Sequence, residues 1–424
     1  MTQPTDSTPA PQPSSPVRHL GLLGGGQLGR YLVEAAHRKG LAVHLLTPEV
    51  NSPASQWLNL KTDTETVQDY TDATTLGVLA QRCDAVTMEF ENIPTESLGA
   101  LSFCVPVMPS PTVLGVSQDR WMEKSLAKKV GLPVAPVLPI ASGAALAMGL
   151  QKLGTPCVLK TRRLGYDGKG QTVLREPINK EAWDKQQCEA FWASLPANES
   201  GFVLEQWVPW LTELSVGVAR DTQGRVCILG PFENTHANGI LDTSIFPAQS
   251  ISSAIQAQAV AYTQQLADAL DVVGLLCVEW FVTANPQKPL MFNEMAPRPH
   301  NSGHLTLNWL DSDGIALPSQ YDRHIEAIMG RGFAESKMPE PAAMINLLGD
   351  SFGEGPIDEP SPELLKDFPE VSLHWYGKTE SRTGRKMGHL NWQGSSNSTE
   401  GLEQLRQAKA HLSQHHCAKM EAKV

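Results

Sequence analysis

The sequence lacks paired cysteines, long apolar runs and any excess of basic residues. Its seven cysteines are scattered and none forms a C-x-x-C pair, so we expect reduced thiols rather than a disulfide framework or a zinc site. No apolar run approaches the roughly 18 residues of a membrane span. The formal net charge of −11 argues against a general nucleic-acid or anionic-membrane binder. An anionic small substrate stays compatible, because a local cluster of cations or a bound metal can reverse the field within one cleft.

The N-terminal segment, residues 1–16, has no basic residue and no apolar core, and it holds five prolines. This composition matches neither a signal peptide nor a transit peptide, so we expect a disordered tail there and a cytoplasmic location. The whole chain is 41% hydrophobic and 19% charged, which is typical of an ordered globular protein. Its length predicts about two to four domains.

Strand and helix patterns alternate from residue 17 onward. VRHLGLLG predicts a buried strand, QLGRYLVEAAHRKG a helix that ends at Gly40, and LAVHLLT and DAVTMEF further strands. Alternation of this kind predicts an open parallel sheet. A single helix is expected next, over 117–130.

Beyond residue 130, runs of strands with helices grouped apart predict an α+β region. TPCVLKTRR and TVLRE flank the loop GYDGKGQ, which predicts a hairpin with an overlong, mobile tip. Helices are expected near 180–195 and 252–270. Further strands are expected at FVLEQWV, ELSVGVARD, RVCILGPFEN, GLLCVEWFVT and PLMFNEM.

The glycine turn Gly24-Gly25-Gly26-Gln27-Leu28-Gly29 lies between a predicted strand and a predicted helix. This G-x-G-x-x-G pattern occurs in dinucleotide folds, where the helix N-terminus binds pyrophosphate. The second strand of such a fold should end in an acid that binds ribose, but Glu49 comes late and behind Pro48. Tight strand–helix packing, or a turn that contacts another phosphorylated ligand through Gln27, are the alternatives.

Lys160 ends a predicted buried strand, and the glycine-rich loop 165–171 follows at once. Amides of such a loop can fold over a polyphosphate, and the lysine adds a point charge. The order of residues is not that of a Walker loop, and a plain glycine hairpin is the alternative. Farther along, Glu205 closes a strand where backbone groups of 205–208 can meet an adenine edge.

Two carboxylates lie in strongly apolar strand patterns, Glu279 in LLCVEWFV and Glu294 in LMFNEM. A carboxylate there is costly unless it is paired or bound to a metal. Adjacent strands would aim both carboxylates and Asn293 at one point, and oxygen ligands suit Mg²⁺ that bridges phosphates. A salt bridge to Arg or Lys is the alternative; with a phosphate loop upstream, we favour the metal.

Dense polar residues follow in the run RPHNSGH, 298–304, as in an active-site wall. Arg298 can stabilise charge on a transferring phosphoryl group. His300 and His304 have a spacing that suggests zinc, but a zinc site needs three or four ligands and no third falls nearby.

Basic residues cluster late in this acidic chain, at Lys378, Arg385 and Lys386. Such charges usually form a solvated face. The functional alternative is a phosphate clamp on a second substrate.

Together these motifs resemble those of ATP-grasp enzymes and, within that superfamily, of the 5-(carboxyamino)imidazole ribonucleotide synthases of purine biosynthesis. The resemblance extends over most of the chain, and the motifs fall in order: GGGQLGR (24–30), EFENI (89–93), KTRRLGYDGKGQ (160–171), EQWVPWLTE (205–213), NEMAPRPHNSGH (293–304), HWYGK (374–378) and GRKMGHLN (384–391). It implies a parallel-sheet pre-ATP-grasp domain, a two-lobed ATP-grasp domain and a small β-rich C-terminal domain. We place these at 17–119, 120–325 and 326–395, before a polar helical tail at 396–424.

The resemblance also implies a set of residues for each ligand. ATP is expected at Arg120, Lys160, Gly165, Tyr166, Asp167, Gly168, Lys169, Gly170, Gln171, Glu205, Gln206, Trp207, Val208, Glu213, His236, Asn293 and Glu294. Mg²⁺, with Mn²⁺ as an alternative, is expected to bridge Glu279 and Glu294. The ribonucleotide is expected at Gln27, Leu28, Glu91, Asn301, Lys378, Arg385 and Lys386, with Glu91 at its ribose hydroxyls and the last three at its phosphate.

The implied reaction is the ATP- and bicarbonate-dependent carboxylation of the amine of 5-aminoimidazole ribonucleotide through carboxyphosphate. Lys160 and the glycine loop would neutralise charge during phosphoryl transfer, and Arg298 would hold the intermediate. Asp167 can act as a proton acceptor. The expected partners are these small molecules, without nucleic acid or membrane, and the family commonly forms homodimers.

Three other functions are compatible with parts of the sequence. A formate-dependent glycinamide ribonucleotide transformylase is the nearest, although that relative carries a different sequence at HNSGH. A nicotinamide-dependent oxidoreductase would use the glycine turn, but it leaves Glu279, Glu294 and GYDGKGQ unexplained. A non-catalytic nucleotide-binding module would bind ATP without releasing ADP.

Overall fold

The computed structural model of the chain describes residues 16–165, 168–176 and 183–421. Its first four strands form one parallel sheet, as the alternating pattern predicts: β1 (His19–Leu23), β2 (Ala42–Thr47), β3 (Thr64–Val67) and β4 (Ala85–Met88). Their order is β3-β2-β1-β4. β4 is buried throughout, and β1 is buried except at His19, because packed segments cover both faces of these strands. The helices of this region are α1 (Gln27–Arg38), α2 (Ala73–Arg82) and α3 (Thr95–Ser102).

A short helix, α4 (Pro111–Ser117), precedes α5 (Arg120–Lys129), which is the helix that the sequence predicts over 117–130. Asp119 takes the N-cap position of α5, where its carboxylate accepts a hydrogen bond from the Trp121 amide. This cap places Arg120 at the start of α5.

The second sheet is antiparallel and contains the predicted glycine hairpin. Its strands are β5 (Val137–Ile140), β6 (Cys157–Thr161), β7 (Gln171–Leu174) and β8 (Phe202–Gln206), in the order β5-β8-β6-β7. Two helices accompany it, α6 (Gly143–Leu153) and α7 (Lys185–Ser194). α7 begins at a capping box on Asp184, and residues 177–182 lie outside the described ranges.

A large third sheet forms the rest of the structure. The remaining strands are β9 (Trp210–Arg220), β10 (Val226–Ala237), β11 (Ile240–Phe246), β12 (Gly274–Thr283), β13 (Leu290–Ala296), β14 (Ala342–Leu348), β15 (Gly355–Pro356), β16 (Val371–Trp375), β17 (Glu380–Ser381) and β18 (Lys386–Gln393). Eight of them pair in the order β13-β12-β9-β10-β11-β14-β18-β16, and β15 pairs with β17. The sequence patterns missed β11. The β-rich C-terminal region expected from the sequence is present, and its strand β14 pairs with β11, so that it continues the large sheet.

The remaining helices are α8 (Ser253–Ala269), α9 (Gln320–Met329) and α10 (Ser398–Glu421). α8 confirms the helix predicted near 252–270. α10 is the helix predicted as a polar tail, but it packs against β14 and β18. Its Leu405, Ala408 and Leu412 are buried at helical spacing in the C-terminal core.

The described residues agree with the sequence on membrane-spanning segments and on cysteines. No helix in the described ranges is both long and apolar enough to cross a membrane. Six cysteine thiols are free, as their scattered positions predict: Cys83, Cys104, Cys157, Cys188, Cys227 and Cys277.

Because α10 buries a leucine against the large sheet, Leu405→Ala is expected to lower the free energy of unfolding by about 3 kcal/mol through lost apolar contact and a residual cavity. Gln407→Ala, on the exposed face of the same helix, is the matched control and should change it by less than about 0.5 kcal/mol. Urea denaturation of both variants measures the difference. Equal stability of the two would show that α10 does not contribute to the core.

Candidate active site

One cavity of about 500 Å³ is lined by residues of both the β5–β8 sheet and the large sheet. Most residues predicted for ATP and metal face it together with two predicted for the ribonucleotide. Those in the lining are Arg120, Lys160, Gly168, Gln171, Glu205, Gln206, Trp207, Val208, Glu213, His236, Glu279, Asn293, Glu294, Asn301 and Lys386. Residues more than 260 positions apart in sequence therefore share a single cleft.

A buried carboxylate joins two lysines on the cavity wall. Lys160 Nζ on β6 donates to Glu205 Oε2 on β8 at 2.8 Å, and Lys124 Nζ on α5 lies 3.3 Å from the other oxygen of Glu205. Burial alone would raise the pKa of Glu205, but the two ammonium groups lower it to about 2. Burial lowers the pKa of Lys160. Glu205 thus contributes a side-chain anchor for the lysines as well as the backbone expected at an adenine edge.

Lys124 also links the two sheets. Its Nζ donates to the backbone oxygen of Asn293 on β13 at 2.8 Å, and the side chain is 1% exposed. Its neighbour Glu123 accepts through its carboxylate from the Met295 amide at 3.2 Å. These two contacts fix α5 against β13.

Glu294 is paired with arginine. Arg120 Nη1 donates to Glu294 Oε2 at 2.9 Å, and Nη2 donates to the Gly165 oxygen at 3.3 Å. Burial opposes ionisation of Glu294, but the Arg120 guanidinium lowers the pKa of its carboxyl group. The salt-bridge alternative therefore holds for Glu294 in this structure, and Arg120 connects that carboxylate to the glycine loop.

Glu279 lies opposite Glu294 in the β12–β13 register. Burial and the Glu294 carboxylate raise the pKa of Glu279. Its Oε2 accepts from Asn293 Nδ2 at 3.4 Å, and its Oε1 is 3.3 Å from His300 Nε2. Adjacent strands thus bring the two predicted metal carboxylates and Asn293 together, as their sequence patterns predict.

His236 adds a second group around Glu279. Ligand atoms of Glu213, His236 and Glu279 all lie within 4.8 Å of one another. Burial alone would lower the pKa of His236, but the Glu213 carboxylate 3.1 Å away and Glu279 raise it to about 9. The raised pKa of His236 favours its protonated form, which places a cation on the cavity wall.

The zinc alternative for His300 and His304 finds no support. His300 faces Glu279, whereas His304 is fully buried and bonds through Nδ1 to the Tyr321 hydroxyl at 2.8 Å. In the described part of the chain, the cluster able to hold a metal contains neither His304 nor His300. Their i, i+4 spacing therefore does not converge on one ion.

The predicted ribonucleotide residues meet beside this cavity. Lys378 Nζ donates to Gln27 Oε1 at 3.4 Å and to the Lys386 backbone oxygen at 2.7 Å. Burial, with Arg385 and Lys386 nearby, lowers the pKa of Lys378 to about 8. The side chain of Leu28 is in the core, so only its backbone can contact a ligand.

Asn301 and Arg298 occupy different positions relative to the cavity. Asn301 is buried in the lining, and neither polar atom of its side chain hydrogen bonds to a described residue. Arg298 lies outside the lining and donates to Glu91 Oε1 at 2.8 Å and to the Pro299 oxygen at 3.0 Å. A polar amide with both atoms free to bond points to Asn301 as a ligand contact.

The glycine turn is filled by a carboxylate of the chain itself. Glu89 Oε1 accepts from the Gly26 amide at 2.8 Å and Glu89 Oε2 from the Gly29 amide at 3.2 Å. A Cβ on Gly24 would lie 2.6 Å from the Glu89 side chain, and one on Gly26 would lie 2.7 Å from its carboxylate. These glycines are explained by packing on Glu89, which takes the amides of Gly26 and Gly29. The structure thus favours the packing interpretation and leaves the oxidoreductase alternative without a site.

The glycine-rich loop 165–171 is only partly described. Tyr166 and Asp167, predicted for ATP and for proton transfer, lie outside the described residues. A Cβ on Gly168 would lie 3.2 Å from Gly239 Cα, and Gly170 has φ +72° over Thr161. Gly168 is favoured because the loop approaches the backbone of Gly239 closely, and Gly170 because its left-handed backbone lies against the Thr161 side chain.

Sequence reasoning missed Lys124, Glu123 and Glu89 as members of the site. The segment RWMEKS could have indicated the first two, because Arg120, Glu123 and Lys124 are at i, i+3 and i+4 and lie on one side of a predicted helix. Glu89 stood within the quoted EFENI motif, but its contact with the glycine turn depends on the parallel pairing of β1 with β4.

Three family models match the chain in order: a ribonucleotide synthetase preATP-grasp domain over 17–118, an ATP-grasp domain over 125–312 and a phosphoribosylaminoimidazole carboxylase C-terminal domain over 342–404. An N5-carboxyaminoimidazole ribonucleotide synthase of Brucella melitensis is 39% identical over 372 residues, which are 88% of this chain and 95% of that protein.

Solved structures agree in fold. The N5-carboxyaminoimidazole synthetase of Staphylococcus aureus complexed with ADP has a TM-score of 0.80 and 30% identity, over 94% of this chain and 98% of that one. The N5-carboxyaminoimidazole synthase of Aspergillus clavatus, in complex with ADP and 5-aminoimidazole ribonucleotide, has a TM-score of 0.78 and 26% identity, over 94% of this chain and 99% of that one.

Because Lys124 is buried between Glu205 and β13, Lys124→Met is expected to lower the free energy of unfolding by about 3 kcal/mol, the cost of removing one partner of a buried ion pair. Lys128→Met, at an exposed position of the same helix, is the control and should have little effect. Chemical denaturation measures both. A Lys124→Met protein as stable as the control would mean that Lys160 alone suffices for Glu205.

Proposed function

The chain belongs to the N5-carboxyaminoimidazole ribonucleotide synthase family of ATP-grasp enzymes, and from that premise we propose how its cavity binds and joins its substrates. It is an ATP-dependent carbon–nitrogen ligase of purine biosynthesis that carboxylates the amine of 5-aminoimidazole ribonucleotide. The observation that carries the proposal is the single cavity in which Lys160, Glu205 and Glu294 stand with Asn301 and Lys386. ATP and the ribonucleotide can therefore bind next to each other in the same cleft.

ATP lies between the two sheets in this proposal. Its adenine edge meets the backbone of 205–208. Lys160 binds its phosphates through a compact ammonium charge, and Arg120 binds them through the paired N–H donors of its guanidinium group. Glu205 and Glu294 already hold these two cations at 2.8 and 2.9 Å. The cations are thus oriented before the nucleotide arrives, and little side-chain entropy is lost when it binds.

The donor set of Glu279, Glu294 and Asn293 fits a hard divalent cation because it offers oxygen ligands from two paired strands. These residues would hold Mg²⁺, with Mn²⁺ as the alternative. A bound divalent cation supplies neutralisation of the charge on the transferring phosphate. His236, held protonated by Glu213, faces the same region from β10.

The reaction proceeds in two steps. A bicarbonate oxygen attacks the γ-phosphorus, the bond to the bridging oxygen breaks, and ADP leaves with carboxyphosphate formed; Lys160 and Arg120 balance the charge. The amine of the ribonucleotide then attacks the carboxyl carbon, phosphate leaves, and the amine loses a proton. Asn301 bonds near the reacting end, Arg298 holds the intermediate, and Lys378, Arg385 and Lys386 bind the ribonucleotide phosphate.

Several assignments stay predictions from the sequence. Asp167 as the proton acceptor, Glu91 at the ribose hydroxyls, Gln27 and Leu28 beside the ribonucleotide, and the proposed domain bounds are among them. Homodimer formation, cytoplasmic location and independence from nucleic acid and membranes are the others.

The test of the function is ADP release with Mg-ATP and bicarbonate, with and without 5-aminoimidazole ribonucleotide. Strong stimulation by the ribonucleotide, with bicarbonate carbon in an acid-labile product, is expected. Stimulation instead by formate with glycinamide ribonucleotide would move the function to the formyl-transfer relative. ATP binding without ADP release under either condition would indicate a non-catalytic module.

A pH dependence follows from Lys378. Its pKa of about 8 in the folded protein means that the ammonium is present below that pH and is lost above it, so binding of the ribonucleotide phosphate should weaken as pH rises past 8. The ratio kcat/KM for the ribonucleotide, which reports the free enzyme, should fall as the pH rises past 8 and then level off, because Arg385 and Lys386 still bind the phosphate. Lys378→Arg keeps its charge above pH 12 and should remove the fall. An unchanged profile in that variant would assign the titration to another group.

A further inference from the structure

Six aromatic rings pack together behind the proposed ribonucleotide site. They are Tyr31, His304, Tyr321, His374, Tyr376 and His389, which we call the aromatic column. Three imidazoles form its centre: His304 stacks on His389 at 4.4 Å and 5°, and His374 stacks on the other face of His389 at 4.5 Å and 7°. The edge of Tyr31 faces this stack, with its ring centre 5.8 to 6.3 Å from each imidazole.

Hydrogen bonds fix the rings in orientation. The Tyr376 hydroxyl bonds to His389 Nδ1 at 2.8 Å, and the Tyr321 hydroxyl bonds to His304 Nδ1 at 2.8 Å. His374 Nε2 bonds to Asn308 Oδ1 at 2.6 Å. Burial lowers the pKa of all three histidines, so the stack is neutral at neutral pH and adds no charge beside a phosphate-binding cluster.

Residues of the column lie near four proposed ribonucleotide contacts in the chain. Tyr31 lies one turn after Gln27 on α1, and His304 lies one turn after Asn301. Tyr376 lies directly beside a proposed contact, because the ammonium group of Lys378 is 5.7 Å from the centre of the Tyr376 ring. His389 follows Lys386 by three residues on β18.

We propose that the aromatic column positions the ribonucleotide-binding residues, so that its rings act as positioning residues for carboxylation through Lys378, Asn301 and Gln27. The inference rests on the proposed function for the identity of the acceptor. It predicts that the column affects ribonucleotide binding and leaves ATP binding unchanged, since Lys160, Glu205 and Arg120 are fixed by contacts of their own. A role in folding alone predicts no such selectivity.

The experiment compares Tyr376→Leu, which removes the ring beneath Lys378, with Tyr376→Phe, which removes only the hydroxyl bonded to His389. Tyr376→Leu should raise both the KM and the calorimetric Kd for the ribonucleotide about tenfold, and Tyr376→Phe about threefold, with the KM for ATP within about twofold of wild type. Tyr262→Leu is the matched control. That half-buried tyrosine of α8 packs on Trp280, 5.7 Å away, and should change neither constant.

Equal increases in the constants for ATP and the ribonucleotide, or no change in either, would overturn the inference. If Tyr376→Leu does not fold, Tyr376→Phe decides: selective weakening supports the column, and wild-type binding overturns it. Ribonucleotide binding without stimulated ADP release in the wild type would refute the proposed reaction, yet the calorimetric comparison would still test the column. A wild type that binds no ribonucleotide would overturn both.

Discussion

The geometry of the nucleotide cavity depends on the buried carboxylate of Glu205. It holds Lys160 of the hairpin and Lys124 of α5 on its two oxygens, and Lys124 in turn binds the backbone of β13 beside Glu294. A single charge cluster thus sets the distance between the small sheet and the strand proposed to hold the metal. Removing a partner would leave a buried charge unpaired, and the cluster is therefore expected to respond as a unit.

Other carboxylates around the site also hold N–H donors in place. Glu294 holds Arg120, Glu91 holds Arg298, and Glu89 takes the amides of the glycine turn. Each carboxylate fixes a donor that an anion could otherwise use. For the arginines, the fixed donor can still bond an incoming anion through its other N–H groups. In the glycine turn, Glu89 takes the amides of Gly26 and Gly29, so these two glycines act in packing.

Local patterns predicted the parallel sheet and the hairpin around the glycine loop, because hydrophobic periodicity identifies strands. They also predicted the pair Glu279–Glu294, because a carboxylate in an apolar strand is costly unless it has a partner. They failed where tertiary contacts decide. The helix α10, expected as a polar tail, packs into the C-terminal core through regularly spaced apolar residues. Lys124 was missed, since its burial depends on the packing of α5 on β13.

The extension of the large sheet bears on how the two substrates are aligned. β10 carries His236 at the proposed nucleotide end, and β18 carries Lys386 at the proposed ribonucleotide end, with β11 and β14 paired between them. Backbone hydrogen bonds therefore fix the spacing of the two ends, where a domain interface would allow movement. Carboxyphosphate hydrolyses readily, so a fixed spacing favours transfer to the amine over loss to water. The continuous sheet thus sets the distance between the two proposed substrate sites, and in our proposal the aromatic column holds the ribonucleotide-binding residues in position.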